Sequence, residues 1–513
     1  MYLYLKVLPN EYFDSVTLMA VSAKVKAEVG AQLVTILMAT TMNKTMLEER
    51  GFDSTELCGA SANDCVIGVI TADPSPQLIE QIEREIRGGG QQEKKGQAIN
   101  PATISSALRQ IDASLVIIST PGEYAAREAE LALTQGLNVL IFSDNVSVQD
   151  EKRLKLLAKE KGLLLMGPDC GTAIINGSGL CFANNVRRGS IGLVAASGTG
   201  LQEVSVLIHR LGGGISQAIG VGGRDLSLDI GGIMMIEGLR ALGEDEATKV
   251  IVLISKPPAP EVQAKILAAL VHLGKPVVVC FIDGEILGGS EQRLRFVTTL
   301  EGAAMAALAY GGLDVSSKVF DQKFFDTRAL EESRKLMPSQ RFIRGLYCGG
   351  TLCAEALMLS RARVQPVLCN VAKRDSERLA NPMASSGHCF VDLGDDMFTQ
   401  GRPHPMIDPN IRLERILEEA SDPEVAVLIL DFVLGYGSHA DPVGVTLPTL
   451  RIAREIAAQS GRYLAVVAYV CGTDLDKQGY EAQCSKLEAH GVLTARSNAH
   501  AAELACKIVG GGI

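Results

Sequence analysis

The chain contains no tryptophan, and aromatic residues amount to only 4% of it, against 52 glycines. Such a glycine-rich, aromatic-poor composition suits α/β folds, whose tight strand-to-helix turns demand glycine. It lacks an uninterrupted apolar run of about 18 residues, which excludes a membrane-spanning helix. The opening MYLYLKVLPNEYFD has no signal-peptide layout, so a cytoplasmic protein is expected. Positive charge is not in excess: the formal net charge is −10, which excludes a nucleic-acid binder relying on a broad positive field. No Cys-x-x-Cys pair occurs among the 12 cysteines. Cys348 and Cys353 come nearest, but they flank a Gly-Gly turn and have no partner pair for zinc, so buried reduced thiols are expected.

What is present is a repeating rhythm. Continuous apolar runs at 115–119 (LVIIS), 138–142 (NVLIF), 191–195 (IGLVA), 249–255 (KVIVLIS), 276–282 (PVVVCFI), 425–431 (VAVLILD) and 463–470 (YLAVVAYV) read as parallel strands buried on both faces. Helical patterns such as 124–135 and 260–273 lie between them, which implies doubly wound α/β units. At 513 residues the chain exceeds one core, and roughly 100–200 residues per domain gives three or four. The expected units are a small N-terminal α/β domain (1–87), a flexible linker (88–99, GGGQQEKKGQAI), a Rossmann-like domain (100–189), an α/β domain (190–319), a charged helical linker (320–340) and a final α/β domain (341–513). The last two domains read as a duplication: IGLVAASGTGLQE (191–203) is echoed by IRGLYCGGTLCAE (343–355), GVGGRDLS (220–227) by DLGDDMFT (392–399), and DEATKVIVLI (245–254) by DPEVAVLIL (422–430).

Two turns carry the strongest chemical signal: Ser197-Gly198-Thr199-Gly200 and Gly349-Gly350-Thr351. Each ends a buried strand and opens a helix, with Glu203 or Glu355 closing the first turn. Glycine lets backbone approach a ligand closely, and freed amides at a helix N-terminus attract an anion. One such turn is common packing. A duplicated pair points to both N-termini sharing a single phosphate, with separate structural turns as the alternative.

Four further places are open to two readings each. The loop Gly167-Pro168-Asp169-Cys170-Gly171-Thr172 fits a ligand-facing loop at a sheet's carboxyl end as well as a plain Pro-Asp turn. Cys170 has no neighbouring base to activate it and reads as a packed thiol. The segment 392–409 gathers Asp392, Asp395, Asp396, Arg402 and His404, the histidine stiffened between two prolines. His404 could protonate a leaving group, Arg402 could grip a carboxylate or phosphate, and the acids could hold Mg²⁺; a solvated loop with Asp caps explains the same residues. Arg224 in Gly222-Gly223-Arg224-Asp225 and His439 in Ser438-His439-Ala440-Asp441 stand under the same pair of readings. His209, His272, His490 and His500 fall in helical patterns and are expected at the surface.

At these motifs the chain resembles the FdrA family (AllF/YahF-like), related to succinyl-CoA synthetase and the NDP-forming acyl-CoA synthetases. The resemblance spans essentially the whole chain, is nearest the YahF-like branch, and is carried by PGEYAAREAELAL (121–133), FSDNVSVQDE (142–151), MGPDCGTAIINGSGLCFAN (166–184), ASGTGLQE (196–203), GGRDLS (222–227), ISKPPAP (254–260), CGGTLC (348–353), DLGDD (392–396) and GRPHPMIDP (401–409). It implies that 100–189 is a CoA-binding-type Rossmann domain, with Gly167–Thr172 as its substrate or CoA loop. It implies too that 190–319 and 341–513 are flavodoxin-like domains of the synthetase's α and β-C-terminal types. Two features of the synthetase are missing. Its active histidine follows the strand matching 276–282, where this chain has DGEILGGSEQRLRF, and no ATP-binding domain separates the two halves.

The resemblance therefore implies a subunit of a phosphate-dependent carbamoyl or acyl transferase, like the oxamate carbamoyltransferase of anaerobic allantoin catabolism, converting oxalurate and phosphate to oxamate and carbamoyl phosphate. In that reading Ser197, Gly198, Thr199, Gly200, Gly349, Gly350 and Thr351 hold phosphate, Arg224 or Arg402 holds the substrate carboxylate, and His404 protonates the departing nitrogen. Phosphate or carbamoyl phosphate is a substrate, CoA and Mg²⁺ are candidate cofactors, and no ATP site is recognised. Other enzyme subunits or further copies of the chain are the expected partners. The alternatives are an acyl-CoA synthetase borrowing ATP chemistry from a partner subunit, and a non-catalytic scaffold or regulatory subunit.

Overall fold

The computed structural model describes residues 2–510 except 12, 14–17, 19, 20, 23, 27–32, 53, 54, 62, 73–76, 89–100, 285–292, 316–321, 400 and 401. The expected linker 88–99, apart from Gly88, and most of the segment after the 276–282 strand lie outside the described residues. The chain divides into two compact units, residues 1–101 with 396–404, and residues 102–395 with 405–513.

The first unit has a three-stranded antiparallel sheet of β1 (Tyr2–Leu8), β2 (Leu33–Met38) and β3 (Cys65–Thr71), in the order β1-β3-β2. In β2 every second residue is buried, so one sheet face packs into an apolar core with Ile82 and Ile86 of the helix Gln77–Gly88. In the turn after β2, Asn43 Nδ2 donates to Met38 O at 2.8 Å and Lys44 Nζ to Ala60 O at 2.9 Å, so these polar side chains tie the turn down.

In the second unit, β4 (Leu115–Ile118), β5 (Asn138–Ile141) and β6 (Leu165–Met166) form a parallel sheet. A seven-stranded sheet follows in the order β13-β12-β11-β9-β10-β7-β8. Its strands are β7 (Thr172–Ile175), β8 (Ser178–Cys181), β9 (Arg188–Ala195), β10 (Ile215–Gly220), β11 (Val250–Ser255), β12 (Val277–Phe281) and β13 (Leu294–Val297). A six-stranded sheet runs β15-β16-β14-β17-β18-β19. It comprises β14 (Phe342–Tyr347), β15 (Val367–Cys369), β16 (His388–Asp392), β17 (Val425–Val433), β18 (Ala465–Cys471) and β19 (Leu493–Ala495).

Taking β9 and β14 as first strands, the five parallel strands they share fall in one spatial order, second-first-third-fourth-fifth, in both sheets. That is the flavodoxin-like order, and the echoed segments of sequence occupy equivalent places in it. The runs β11, β12 and β17 are buried at every residue, which explains why their sequences are apolar without alternation.

Two boundaries differ from the sequence expectation. The hairpin β7–β8 pairs antiparallel with β10, so the chain crosses into the seven-stranded sheet after β6 and not near 190. Two four-residue strands broken by Asn-Gly give no long apolar run to mark it. The charged segment 320–340 holds the helix Gln322–Ser333, whose Phe325 and Ala329 join the same apolar core as both sheets. It is a packed element, pinned further by Tyr463 Oη donating to Glu332 Oε2 at 2.5 Å.

Beside the parallel sheet of β4, β5 and β6, Lys155 is fully buried and donates to Glu151 Oε1, Asp225 Oδ1 and Val221 O at 2.8, 2.8 and 2.9 Å. Removing a buried cation strands two buried carboxylates. Lys155→Met is therefore expected to lower the unfolding free energy by about 3–5 kcal/mol in a denaturant titration, and a change under about 1 kcal/mol would contradict this account of the network.

Candidate functional site

β9 runs into Ser197, the N-cap of the helix Gly198–Arg210, and β14 runs into Gly349, the N-cap of the helix Gly350–Arg361. The two corners meet. Ser197 Oγ and Thr351 Oγ1 lie 2.5 Å apart, and Thr351 N donates to Thr199 Oγ1 at 3.4 Å. A Cβ on Gly349 would stand 3.0 Å from Thr199 Cγ2. In the duplication Ser197 is equivalent to Gly349 and Thr199 to Thr351, so these two contacts are mates about a local pseudo-twofold axis. Glycine stands at 349 because Thr199 fills the space that a serine side chain would need.

The amides of the corners are not equally available. Asp431 accepts from Cys348 N and Gly349 N at 2.8 and 2.9 Å. Gly200 N donates to Ser197 Oγ at 2.9 Å. Among the seven residues expected to hold phosphate, the amides of Gly349, Gly200 and Thr351 are thus engaged within the protein. Those of Ser197, Gly198, Thr199 and Gly350 have no partner among the described residues, and both Gly198 and Gly350 are partly exposed. The helix dipoles add positive potential at this opening.

The 167–172 loop reaches the same opening. Thr172 is 2% exposed, its hydroxyl has no hydrogen-bond partner, and that oxygen lies 3.5 Å from where a Cβ on Gly198 would stand. Gly167, at φ +89°, leaves no room for a Cβ, which would meet Ile141 O at 2.3 Å. Pro168 O lies 2.3 Å from the Cβ position of Gly222, so the loop packs tightly on the Gly222 turn, while Asp169 is exposed. Cys170 is buried, and burial pushes its thiol well above the usual range, consistent with a packed residue.

Beneath the corners, two glutamates cross between the halves. Glu355 accepts from Leu300 N, which opens the last helix of the first half, at 2.7 Å. Glu203 accepts from Asn498 N, which opens the last helix of the second half, at 3.3 Å. Asn498 Nδ2 also donates to Glu355 Oε2 at 2.8 Å, so one asparagine joins both carboxyls. Burial, with the charge of Glu355 second, raises Glu203 to about 8, and burial raises Glu355 to about 7. Asp392, at the end of β16, lies against Gly350, its Oδ2 being 2.5 Å from that residue's Cβ position. Burial raises it to about 7, partly opposed by the charge of Lys256.

The remaining expected residues lie elsewhere. Arg224 pairs with Glu151 at 2.9 Å and donates to Val146 O at 2.7 Å, so it holds the buried acid network together and is not directed to the corners. Arg402 and His404 are assigned to the unit containing residues 1–101, whereas the corners belong to the other unit. Burial lowers His404 to about 4, which leaves it neutral at pH 7 and unsuited to proton donation. The chain passes from one unit to the other between Asp395 and Asp396, and the described residues contain no group of three or more His, Cys, Asp or Glu able to hold a metal ion. His209, expected at the surface, is 2% exposed: its Nδ1 accepts from Arg187 N at 2.8 Å and its Nε2 lies 2.6 Å from Asp474. The helical pattern could not show that this helix is buried nearly all round. His500 is half-buried too, with burial lowering it to about 4. Asp441 caps the helix Pro442–Gln459, and His439 Nδ1 accepts from Asp441 N at 3.0 Å, a local loop contact. Sequence reasoning missed Asp431 and Asn498; the acid ending the run VAVLILD was the available signal for the first.

Comparison with known proteins gives three family matches: a CoA-ligase family at residues 346–508, a CoA-binding domain at 186–284, and a domain described as AllF, heavy metal-associated, at 1–102. The uncharacterized protein YahF of Escherichia coli is 47% identical over 98% of this chain and 97% of its own length. The succinate–CoA ligase (ADP-forming) α subunit 2 of Archaeoglobus fulgidus is 29% identical over 34% of this chain and 61% of its own. Among solved structures, a dinucleotide-forming acetyl-coenzyme A synthetase of Ca. Korarchaeum cryptofilum, in complex with phosphate and ADP, covers 79% of this chain and 84% of its own at 14% identity and a TM-score of 0.30. In the first unit, Cys58 is exposed and Cys65 is buried with its thiol pushed up to about 12 by burial. The described residues there do not fit a heavy-metal centre, and none enters the mechanism.

Carboxyls that ordinarily lose protons near 4 keep them to about 7 or 8 in the folded chain. Between those limits the folded state binds more protons than the unfolded one, so this group's contribution to stability falls as pH rises. Denaturant midpoints measured from pH 5 to pH 8 are expected to decline less in Glu203→Gln, which cannot ionise, than in the wild type. An equal decline in both would contradict the buried-acid account.

Proposed function

We propose, for a chain that belongs to the YahF-like branch of the FdrA family and is related to succinyl-CoA synthetase, a phosphate-dependent acyl or carbamoyl transfer at the twin corner. The observation that carries this reading is the direct contact of the two helix N-termini, with unpaired amides at Gly198, Thr199 and Gly350 around one opening. Such preorganised donors hold a phosphoryl group and stabilise the oxyanion that develops when phosphate attacks a carbonyl. The buried, unpartnered Thr172 hydroxyl adds a further donor.

For a carbamoyl transfer, a phosphate oxygen attacks the ureido carbonyl of oxalurate, forming a C–O bond. The bond from that carbon to the oxamate nitrogen then breaks, giving carbamoyl phosphate and oxamate. The proton lost by hydrogen phosphate is the one the departing nitrogen gains, so no further reagent is needed. Asp392, beside Gly350 and raised to about 7, is a carboxyl suited to relaying it. In this reading Asp392 replaces His404, and the chain works with other subunits or further copies of itself.

A second reading is an acyl-CoA ligase subunit, favoured by the CoA-binding and CoA-ligase matches over 186–284 and 346–508. CoA would then be a substrate held by this chain, and ATP chemistry would come from a partner.

Calorimetric titration with inorganic phosphate tests the first reading. Alanine at Gly198 meets only ordinary contacts inside the protein, yet projects a methyl into the opening. Gly198→Ala is expected to weaken phosphate binding about tenfold, equivalent to about 1.4 kcal/mol, and unchanged affinity would contradict the shared seat. Label from γ-³²P-ATP retained on the protein in the same preparations would favour the ligase reading instead.

A further inference from the structure

Lys256 follows β11 at the carboxyl edge of the seven-stranded sheet. Two residues before it, the Ile254 carbonyl accepts from Ala196 N at 3.0 Å, and Ile254 pairs in register with Ala195, which ends β9 just ahead of Ser197. Ile254 Cγ2 stands 3.1 Å from the Cβ position of Gly200. Lys256 therefore leaves its strand beside the first corner. Its charge is felt in the second half too, at Asp392 below Gly350 and at Cys353 in the first turns of the Gly350 helix.

Lys373 comes from the other side. It lies in the loop after β15 and donates through Nζ to Pro257 O at 3.1 Å, one residue past Lys256. Two ammonium groups, one from each half of the duplication, thus converge at one edge of the twin corner.

The nearby acids are each bound to other groups as well. Asp283 is held by Arg361 through bonds of 2.6 and 3.1 Å, and Glu377 by the same guanidinium. Asp392 lies buried against Gly350, with Oδ1 accepting from Gly394 N at 3.0 Å. Among the described residues Lys256 makes no hydrogen bond and no ion pair. It is partly buried at the junction, unlike a lysine extended into solvent. Burial, and after it the charge of Lys256, lowers the pKa of Lys373, partly opposed by the charge of Asp283.

We infer that Lys256 and Lys373 form a carboxylate subsite beside the phosphate seat, taking the free carboxylate of an organic-acid substrate. The inference rests on the phosphate-dependent transfer proposed above and names its substrate class: a carbonyl compound that carries a carboxylate next to the group transferred. It also replaces Arg224, which is bound to Glu151, as the carboxylate-binding cation. Ammonium groups on flexible stems act as point charges able to follow a carboxylate from substrate to product geometry.

Binding of oxamate, of its neutral diamide analogue oxamide, and of inorganic phosphate to the full-length chain tests this, comparing the wild type with Lys256→Met and Lys373→Met. Among the described residues Lys256 has no partner whose loss would unfold the chain, and an unchanged denaturant midpoint verifies that. The expected result is saturable oxamate binding to the wild type, weakened about tenfold or more in Lys256→Met and less in Lys373→Met. Oxamide is expected to bind weakly and equally to all three proteins, and phosphate affinity to change by less than about threefold. Unchanged oxamate affinity in Lys256→Met, no saturable oxamate binding to the wild type, or a second phosphate bound in place of oxamate would each overturn the subsite. Loss of phosphate binding from the wild type would instead remove the twin-corner reading, with the oxamate comparison still deciding the lysines.

Discussion

The meeting of two helix N-termini at Ser197 and Thr351 is the constraint around which the second unit is organised. Two like ends of helix dipoles repel, so bringing them into contact needs compensation. The structure provides it with acids: Asp431 takes two amides of the second corner, Asp392 lies against Gly350, and Glu203 and Glu355 lie one turn below. The glutamates, which keep their protons up to about 8 and 7, act chiefly through hydrogen bonds. Each crosses the pseudo-twofold axis to cap the last helix of the opposite half, at Asn498 and Leu300. The two halves are therefore held in register by hydrogen-bonding groups buried directly beneath the convergent helix ends. Protonation of part of this set relieves the cost of several buried carboxyls in one place.

The duplication gives this arrangement its economy of parts. Two flavodoxin-like sheets with the same strand order present equivalent turns at their carboxyl edges, where such folds bind ligands. The departures from symmetry are informative. Ser197 opposite Thr351 leaves two hydroxyls in contact, while Gly349 opposite Thr199 leaves none. Asp431 binds amides of the second corner alone. The free amides are consequently weighted to the first corner, three against one among the described residues, and a bound oxyanion would sit nearer Gly198 than Gly350.

Much of this was legible in the sequence. Continuous apolar runs gave the buried parallel strands, the echo of 191–203 in 343–355 gave the duplication, and the paired glycine turns gave the corners, because each signal is local and set by backbone geometry. The rest depended on distant partners. Nothing near Arg224 in the sequence announces Glu151, and nothing near His209 announces Asp474. The loop 392–409 looked like one chemical cluster, yet the chain divides within it, leaving Asp392 with the corners and His404 with the first unit. Clustering along the chain is a poor guide where a segment passes between compact units. Lys256 was visible within ISKPPAP, but only the pairing of β11 with β9 shows which edge it occupies.

The central claim is that one oxyanion is held jointly by both corners. Crystals soaked in selenate, whose selenium scatters anomalously and whose shape mimics phosphate, test it most directly. The account predicts a single anomalous peak within hydrogen-bonding distance of the amides of Gly198 and Gly350 and near the Thr172 hydroxyl. Selenate bound at one corner alone, or no peak between the two while selenate occupies other sites, would contradict it.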